Sequence, residues 1–285
     1  MHQVMIILLL MWGGCYKISC QFHINIYKSS YSNKKMAFTP DKIPPLEARA
    51  KKLRVDTLNL SLETGLAHIG GCFSSIEIFL SLYDIILKED DKFVLSKGHA
   101  CLPYFLLLRE KGYNPHISGH PDIDPKNGVY CTTGSLGHGF PIAVGMALAN
   151  KIQGKKGHIY VLMSDGEFEE GSTWEAMDLA VKYELNNITI IIDYNKIQAL
   201  DFLDLVRPKF NLRKKVEAFN WHVVELNGHS FSELIPALEK KYSQPYAIIA
   251  HTTKGKGVSY IENNPDWHGR KPKPERLAQA FEELK

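Results

Sequence analysis

Two apolar runs, Ile159 to Met163 and Ile188 to Ile192, each end on oxygen-bearing side chains: Ser164-Asp165-Gly166 after the first, Asp193-Tyr194-Asn195 after the second. Between them Ser172 and Glu175 read as a capping box, and Trp174, Met177, Val181 and Leu185 recur at helical spacing. The pattern predicts strand, helix, strand. A crossover of this kind makes the two strands parallel, and parallel neighbours deliver their following loops to the same end of the sheet. The Asp165 carboxylate and the Asn195 amide are therefore expected in one crevice beyond the strand ends, where open α/β sheets bind ligands.

An acid and an amide side by side suit a hard cation. Mg²⁺ takes oxygens at about 2.0–2.1 Å, one or two from protein side chains and the rest from water and phosphate. Gly166 lets an anion approach the backbone, and the N-terminus of the next helix favours negative charge by roughly 0.3–1 kcal/mol. The crevice thus predicts a pocket for a metal-bound diphosphate. An Asp-Gly after a strand is more often a turn and helix cap than a ligand, so the weight falls on the rest of the chain.

Four further segments carry histidine: Ala67-His68-Ile69-Gly70, Ser96-Lys97-Gly98-His99-Ala100, Ser118-Gly119-His120-Pro121 and Asp266-Trp267-His268-Gly269. Imidazole titrates near neutrality and both donates and accepts, so a group of them around a carbonyl can hold hydroxyls and shuttle protons. Zinc is the rival use, but the histidines lie far apart and the five cysteines, Cys15, Cys20, Cys72, Cys101 and Cys131, show no C-x-x-C spacing. His116, His138, His158, His222, His229 and His251 receive no role. Glycines at 134, 137 and 139, followed by Ala143, Gly145, Ala147 and Ala149, describe a turn entering a helix with a thin face, suited to close packing on a sheet or a second subunit.

In this order the motifs resemble the transketolase family of thiamine diphosphate enzymes, from about Leu46 to the C-terminus. The resemblance implies that Asp165, Asn195 and the carbonyl of Ile197 hold the metal, Mg²⁺ or in its place Ca²⁺ or Mn²⁺. It places Gly134, Leu136, Gly166, Glu170 and His99 beside the cofactor, Glu170 matching a glutamate that links paired sites across the dimer. His68, His99, His120 and His268 would orient the hydroxyls, phosphates and protons of the reacting sugars. Ser164 replaces the usual first glycine of the metal motif. Ser135 and His138 stand where Pro and Gln are common, Ile69 follows His68 where Pro is common, and Gln198-Ala199-Leu200-Asp201 lacks the usual closing glycine. These departures leave the sugar specificity open.

The activity implied is transfer of a two-carbon ketol unit from a ketose phosphate to an aldose, as in the pentose phosphate pathway. Full-length relatives continue with a domain that grips the aminopyrimidine ring and supplies the glutamate that activates the cofactor, whose thiazolium carbon is a weak acid. Glu167, Glu169 and Glu170 sit at the diphosphate end and cannot also reach the pyrimidine. The resemblance therefore implies half an active site, completed by a separate C-terminal subunit carrying the pyrimidine-binding domain, in an assembly of two of each chain. Two alternatives remain open. One is the α subunit of a 2-oxo acid dehydrogenase, against which the His99 and His120 motifs count. The other is a cofactor-binding half without activity, for which Ser135 and the stretch from Gln198 leave room.

At 285 residues and 45% apolar content the chain can bury one large core. Apolar runs at Trp221 to Leu226 and Tyr246 to Ala250 flank a helical stretch, Phe231 to Tyr242, and Ser74 with Glu77, then Phe79, Leu80, Tyr83 and Leu87, predict another capped helix. The expected fold is α/β, a mostly parallel central sheet with helices on both faces, of the thiamine diphosphate-binding type. A net charge of +3 with both signs mixed gives nucleic-acid binding little support. Lys254 and Lys256, set in Thr253-Lys254-Gly255-Lys256-Gly257 after a strand, could approach phosphate, but the reading preferred is exposed loop lysines. Residues 1–36 read as an extension, disordered or upstream of a true start at Met36-Ala37, leaving residues 37–285 as the diphosphate-binding domain. Val4 to Trp12 is apolar but too short to span a bilayer and no Lys or Arg precedes it, so no stable membrane anchor is expected, an export signal remaining the alternative. The unpaired cysteine spacing and the implied cofactor, made inside cells, make the cytoplasm the expected compartment.

Overall fold

The structure, a computed structural model, describes residues 39–199, 201–270 and 274–285. The extension read at residues 1–36 lies outside the described residues. Helix α1 (Ile43–Thr64) leads into the short α2 (Ile69–Phe73) and α3 (Ile76–Leu80), then β1 (Lys92–Leu95) and α4 (Cys101–Glu110). There follow α5 (Gly139–Ile152), β2 (Ile159–Ser164), α6 (Gly171–Lys182), β3 (Ile188–Tyr194), α7 (Leu203–Val206) and α8 (Leu212–Ala218). The chain continues through β4 (His222–Asn227), α9 (Phe231–Glu239), β5 (Tyr246–His251) and α10 (Pro274–Glu283). The strands form one parallel sheet in the order β1-β2-β3-β5-β4.

The central strands β2 and β3 are buried at every position but Tyr194 and apolar along most of their length, because both faces of the sheet are covered. Along β2, Tyr160 and Leu162 pack with residues of α1, α3, α4 and α9, whereas Val161 and Met163 pack with α5, α6 and α8. Each large aliphatic side chain so buried contributes about 1.5–3 kcal/mol, which holds the strand ends rigid beneath the loops that follow. Ala143 and Ala147 of α5 are buried in the second of these layers, as a thin-faced helix predicts, while Gly145 stays exposed. No helix among the described residues is long and apolar enough to cross a membrane.

Two predicted helix starts are corrected. Glu170, not an upstream partner of Ser172, is the N-cap of α6, and the Ser172 hydroxyl donates instead to the Gly137 carbonyl at 2.7 Å. A 3₁₀ turn at Asp165–Glu169 intervenes, and the backward bond of a capping box is made there, from the Ser164 N–H to the Glu167 carboxylate at 3.1 Å. Ser74 likewise does not cap a helix. Its hydroxyl donates to Asp193 at 2.6 Å, and Glu77 is taken by Arg54 and His229. In both cases a tertiary partner outcompetes the local bond.

At the N-terminal end of the strands, opposite these loops, His158 shares a 2.8 Å hydrogen bond with Thr189, and burial, helped by the charges of Lys241 and Lys88, lowers its pKa from 6.5 to about 3. The unfolded chain therefore binds a proton below pH 6.5 that the fold refuses, so stability falls as the pH drops from 6.5 toward 3. Between pH 7 and 4.5 this group is expected to remove roughly 2–3 kcal/mol. Urea unfolding of His158→Gln should show a pH dependence flatter by that amount.

Candidate active site

The C-terminal ends of β1, β2, β3 and β5 supply the site. Ser164 of β2 pairs with Asp193 of β3, so Asp165 and Asn195 leave neighbouring strands side by side. The Asp165 carboxylate accepts from the Lys196 N–H at 2.7 Å, and the Asn195 amide oxygen accepts from the Ile197 N–H at 3.1 Å. Lys196 adopts φ 63°, a left-handed conformation that costs a non-glycine residue about 1–2 kcal/mol and turns the chain tightly between Asn195 and Ile197. Burial, with the nearby charge of Asp193, pushes the Asp165 carboxyl up to about 7. A cation beside it would hold it ionised.

Beneath this loop lies a fully buried ion pair between Lys97 and Asp193. The Lys97 ammonium also donates to the Gly71 carbonyl and the Ser75 hydroxyl, both at 3.0 Å. Asp193 accepts further from Ser74, Thr252 and the Asn195 side-chain NH₂, the last at 3.2 Å. Burial pushes the Asp193 carboxyl up, but the Lys97 charge and these donors outweigh it and hold it below its ordinary value. Because a carboxylate only accepts, it fixes which end of the Asn195 amide it faces and turns the amide oxygen toward Ile197.

These loops border a cleft of about 390 Å³ lined by His68, His99, His120, His268, Gly134, Leu136, Gly166 and Glu170 together with Asp165, Asn195 and Ile197. The eleven residues to which the sequence assigned a site role thus all reach one cavity. The His68 ring centroid lies 5.6 Å from His99, 5.7 Å from His268 and 6.4 Å from His120. Burial lowers the pKa of His68, takes His99 well below the ordinary value and brings His268 to about 4. These three imidazoles are therefore neutral at pH 7 and both donate and accept. His68 itself holds φ 69°, backbone strain of the kind that collects at functional sites. The glycine turn is shaped by contact: a side chain at Gly134 would come within 3.0 Å of the His120 ring, and one at Gly137, φ 74°, within 2.5 Å of Glu170.

Lys254 corrects its reading as an exposed loop lysine. It is 3% exposed, lines the cleft, and its ammonium donates to the Ile197 carbonyl at 3.1 Å and to His268 Nδ1 at 2.7 Å. His268 therefore carries its proton on Nε2. Burial and the Lys97 charge lower the Lys254 pKa to about 8, which leaves it mostly charged at pH 7. Glu167 was also missed. Its buried carboxyl, raised to about 7 by burial, receives Ser96 Oγ at 2.5 Å and the N–H groups of Ser164 and Gly137, tying three cleft loops together. The signals existed: Ser164-x-x-Glu167 is itself a capping-box pattern, and Lys254 follows β5 at the same edge as Asp165 and Asn195.

The donors and acceptors fit a metal-bound diphosphate. One carboxylate, one amide oxygen and one carbonyl form an oxygen set suited to a hard cation, an ammonium lies beside it, and the buried Gln198 Nε2 at the cleft wall has no hydrogen-bond partner among the described residues. Among those residues no group of three or more His, Cys, Asp or Glu side chains is arranged to hold a metal ion.

Residues 65–284 match the family described as transketolase, thiamine diphosphate binding domain. This chain belongs to the transketolase family. It is 40% identical over 265 residues to a subunit of the apulose-4-phosphate transketolase of Actinobacillus succinogenes, covering 84% of this chain and 96% of that relative. Against human transketolase the identity is 34%, over 84% of this chain and 42% of the relative. The transketolase structure from Campylobacter jejuni superposes with a TM-score of 0.74 at 30% identity, over 84% of this chain and 42% of that one. The chain thus matches nearly the whole of one split transketolase polypeptide and about two fifths of undivided transketolases. It is the N-terminal, thiamine diphosphate-binding half of a ketol-transferring enzyme.

Proposed function

We propose that the cleft holds thiamine diphosphate through a divalent ion, Mg²⁺ or Ca²⁺ or Mn²⁺, and that the chain transfers a ketol unit from a ketose phosphate to an aldose only when joined by a separate C-terminal subunit. The observation that carries this reading is the convergence of Asp165, Asn195, Ile197 and four histidines on one cleft. Asp165, Asn195 Oδ1 and the Ile197 carbonyl hold the metal, and the Lys254 ammonium meets the diphosphate. Gly166 leaves the backbone open to the phosphoryl oxygens, while Gly134, Leu136, His99 and Glu170 line the cofactor's side of the cleft. The cofactor, when bound, supplies a carbon nucleophile toward the ketose carbonyl. His68, His120 and His268 orient the sugar's hydroxyls, and the Nε2–H of His268 is a donor poised for an oxygen that gains negative charge.

The partner supplies the pyrimidine-binding domain, and the match over 96% of a relative that is itself one subunit of a transketolase supports a separate partner chain. The assembly in this reading is two of each chain, working in the cytoplasm on pentose phosphate-type sugars. Residues 37–285 form the functional domain in this reading. The test is to mix the chain with its candidate partner and supply xylulose 5-phosphate and ribose 5-phosphate. Turnover by the pair and none by either chain supports the proposal. Pyruvate oxidation instead supports a role in a 2-oxo acid dehydrogenase, and Mg²⁺-dependent cofactor binding without turnover supports an inactive half. Within an active pair, His120→Ala is expected to lower kcat by about 10²-fold with cofactor affinity unchanged. An equal loss of cofactor affinity in calorimetry would remove His120 from the sugar side.

A further inference from the structure

We propose that His229, outside the cleft, is a positioning residue for Lys254: it grips the Thr253 N–H and so sets the loop that carries the lysine into the cleft. The inference rests on the reading that Lys254 meets the diphosphate. After β5 the chain runs through Thr252 and Thr253 to Lys254. The Thr253 N–H donates to His229 Nε2 at 2.8 Å. An imidazole nitrogen that accepts carries no proton, so the His229 hydrogen resides on Nδ1, which donates to Glu77 at 2.9 Å. Glu77 is in turn held by Arg54 through both carboxylate oxygens, at 2.7 and 2.9 Å, and Arg54 also donates to the Phe73 carbonyl.

The relay therefore starts in α1 at Arg54, crosses α3 at Glu77, passes through the loop between β4 and α9 at His229, and ends one residue before Lys254. Arg54 and Glu77 are buried and the His229 side chain is 14% exposed, so neither bond of the imidazole is readily replaced by water. The neighbouring anchors of this loop hold other residues: Thr252 bonds Asp193 and the Tyr194 carbonyl, and the Gly255 N–H donates to the Gly70 carbonyl at 2.9 Å. His229 alone takes the amide of Thr253. Lys254 must reach both the Ile197 carbonyl and His268, and a loop released at Thr253 spreads its ammonium over positions that miss them.

Two substitutions separate the bonds of His229. His229→Asn keeps a donor at the place of Nδ1 for Glu77 but cannot reach Thr253, whereas the amide oxygen of His229→Gln reaches the place of Nε2. The full chain with Mg²⁺ is titrated with thiamine diphosphate by calorimetry, and exchange of the Thr253 amide is followed without ligand. His229→Asn is expected to weaken binding about tenfold and to speed exchange of the Thr253 amide at least tenfold, with His229→Gln close to the parent in both. Added to Lys254→Met, His229→Asn should cost nothing further. Parent-like binding by His229→Asn while Lys254→Met binds weakly overturns the positioning role and leaves the diphosphate reading intact. An equal loss from His229→Asn in the Lys254→Met background overturns it too, and so does fast exchange of the Thr253 amide in the parent. Parent-like binding by Lys254→Met sinks the lysine's role in the underlying reading instead.

Discussion

Asp165→Ala is expected to weaken Mg²⁺-dependent binding of thiamine diphosphate by at least about 100-fold, equivalent to about 2.8 kcal/mol, while the protein stays folded. Asp165 brings the side-chain charge of the proposed metal set, since Asn195 and Ile197 contribute neutral oxygens. Its carboxyl is pushed up to about 7 by burial and by the charge of Asp193, so the free protein stores it at a cost that a metal ion removes. Deleting it relieves that cost and leaves the Lys196 N–H without its acceptor, a loss of about 1 kcal/mol. The relief is the larger of the two, so stability does not fall, whereas binding does. Calorimetric titration with Mg²⁺ and with a chelator reads both parts: unchanged affinity in the variant, or a parent indifferent to chelator, would contradict the assignment.

The second large effect is on folding. Lys97→Met leaves the Asp193 carboxylate buried without its counter-charge, and removing one partner of a buried pair costs about 3–5 kcal/mol. Ser74, Ser75, Thr252 and Asn195 still donate to that carboxylate, which keeps the loss toward the lower end. Because Asn195 still donates to Asp193 in this variant, the amide keeps its orientation and the loss falls on stability rather than on cofactor affinity. The double variant Lys97→Met/Asp193→Asn removes the stranded charge and should recover more than half of the lost stability, while it replaces the acceptor that fixes the Asn195 amide and so lowers cofactor affinity. Urea unfolding checks the first statement and calorimetry the second. A cost below about 1 kcal/mol for Lys97→Met would mean that the pair is not the support of the loop.

What the sequence made legible followed from periodicity and from shared strand ends. The runs at Ile159 and Ile188 are strands because both faces of the sheet need apolar cover, and Asp165 and Asn195 meet because parallel neighbours end together. Helix starts were less legible. Ser164-x-x-Glu167 and Ser172-x-x-Glu175 carry the same pattern, and only the tertiary partners, Gly137 for Ser172 and Ser96 for Glu167, choose between them. Lys254, Lys97 and Asp193 share another difficulty. A charged residue at or just beyond a strand's end reads as solvated until the fold supplies its partner, and their partners lie far away in sequence, 57 residues for Lys254 and Ile197 and 96 for Lys97 and Asp193. His229 received no role for the same reason, its partner Glu77 being 152 residues distant.

The most direct measurement of the central claim is a crystal of the full chain soaked with thiamine diphosphate and Mn²⁺ in place of Mg²⁺, with data collected for anomalous scattering. The account predicts one strong anomalous peak about 2.0–2.3 Å from an Asp165 carboxylate oxygen, Asn195 Oδ1 and the Ile197 carbonyl, its remaining positions filled by diphosphate and water oxygens. A bound diphosphate with the peak elsewhere, or with Asp165 and Asn195 outside the coordination shell, would contradict it.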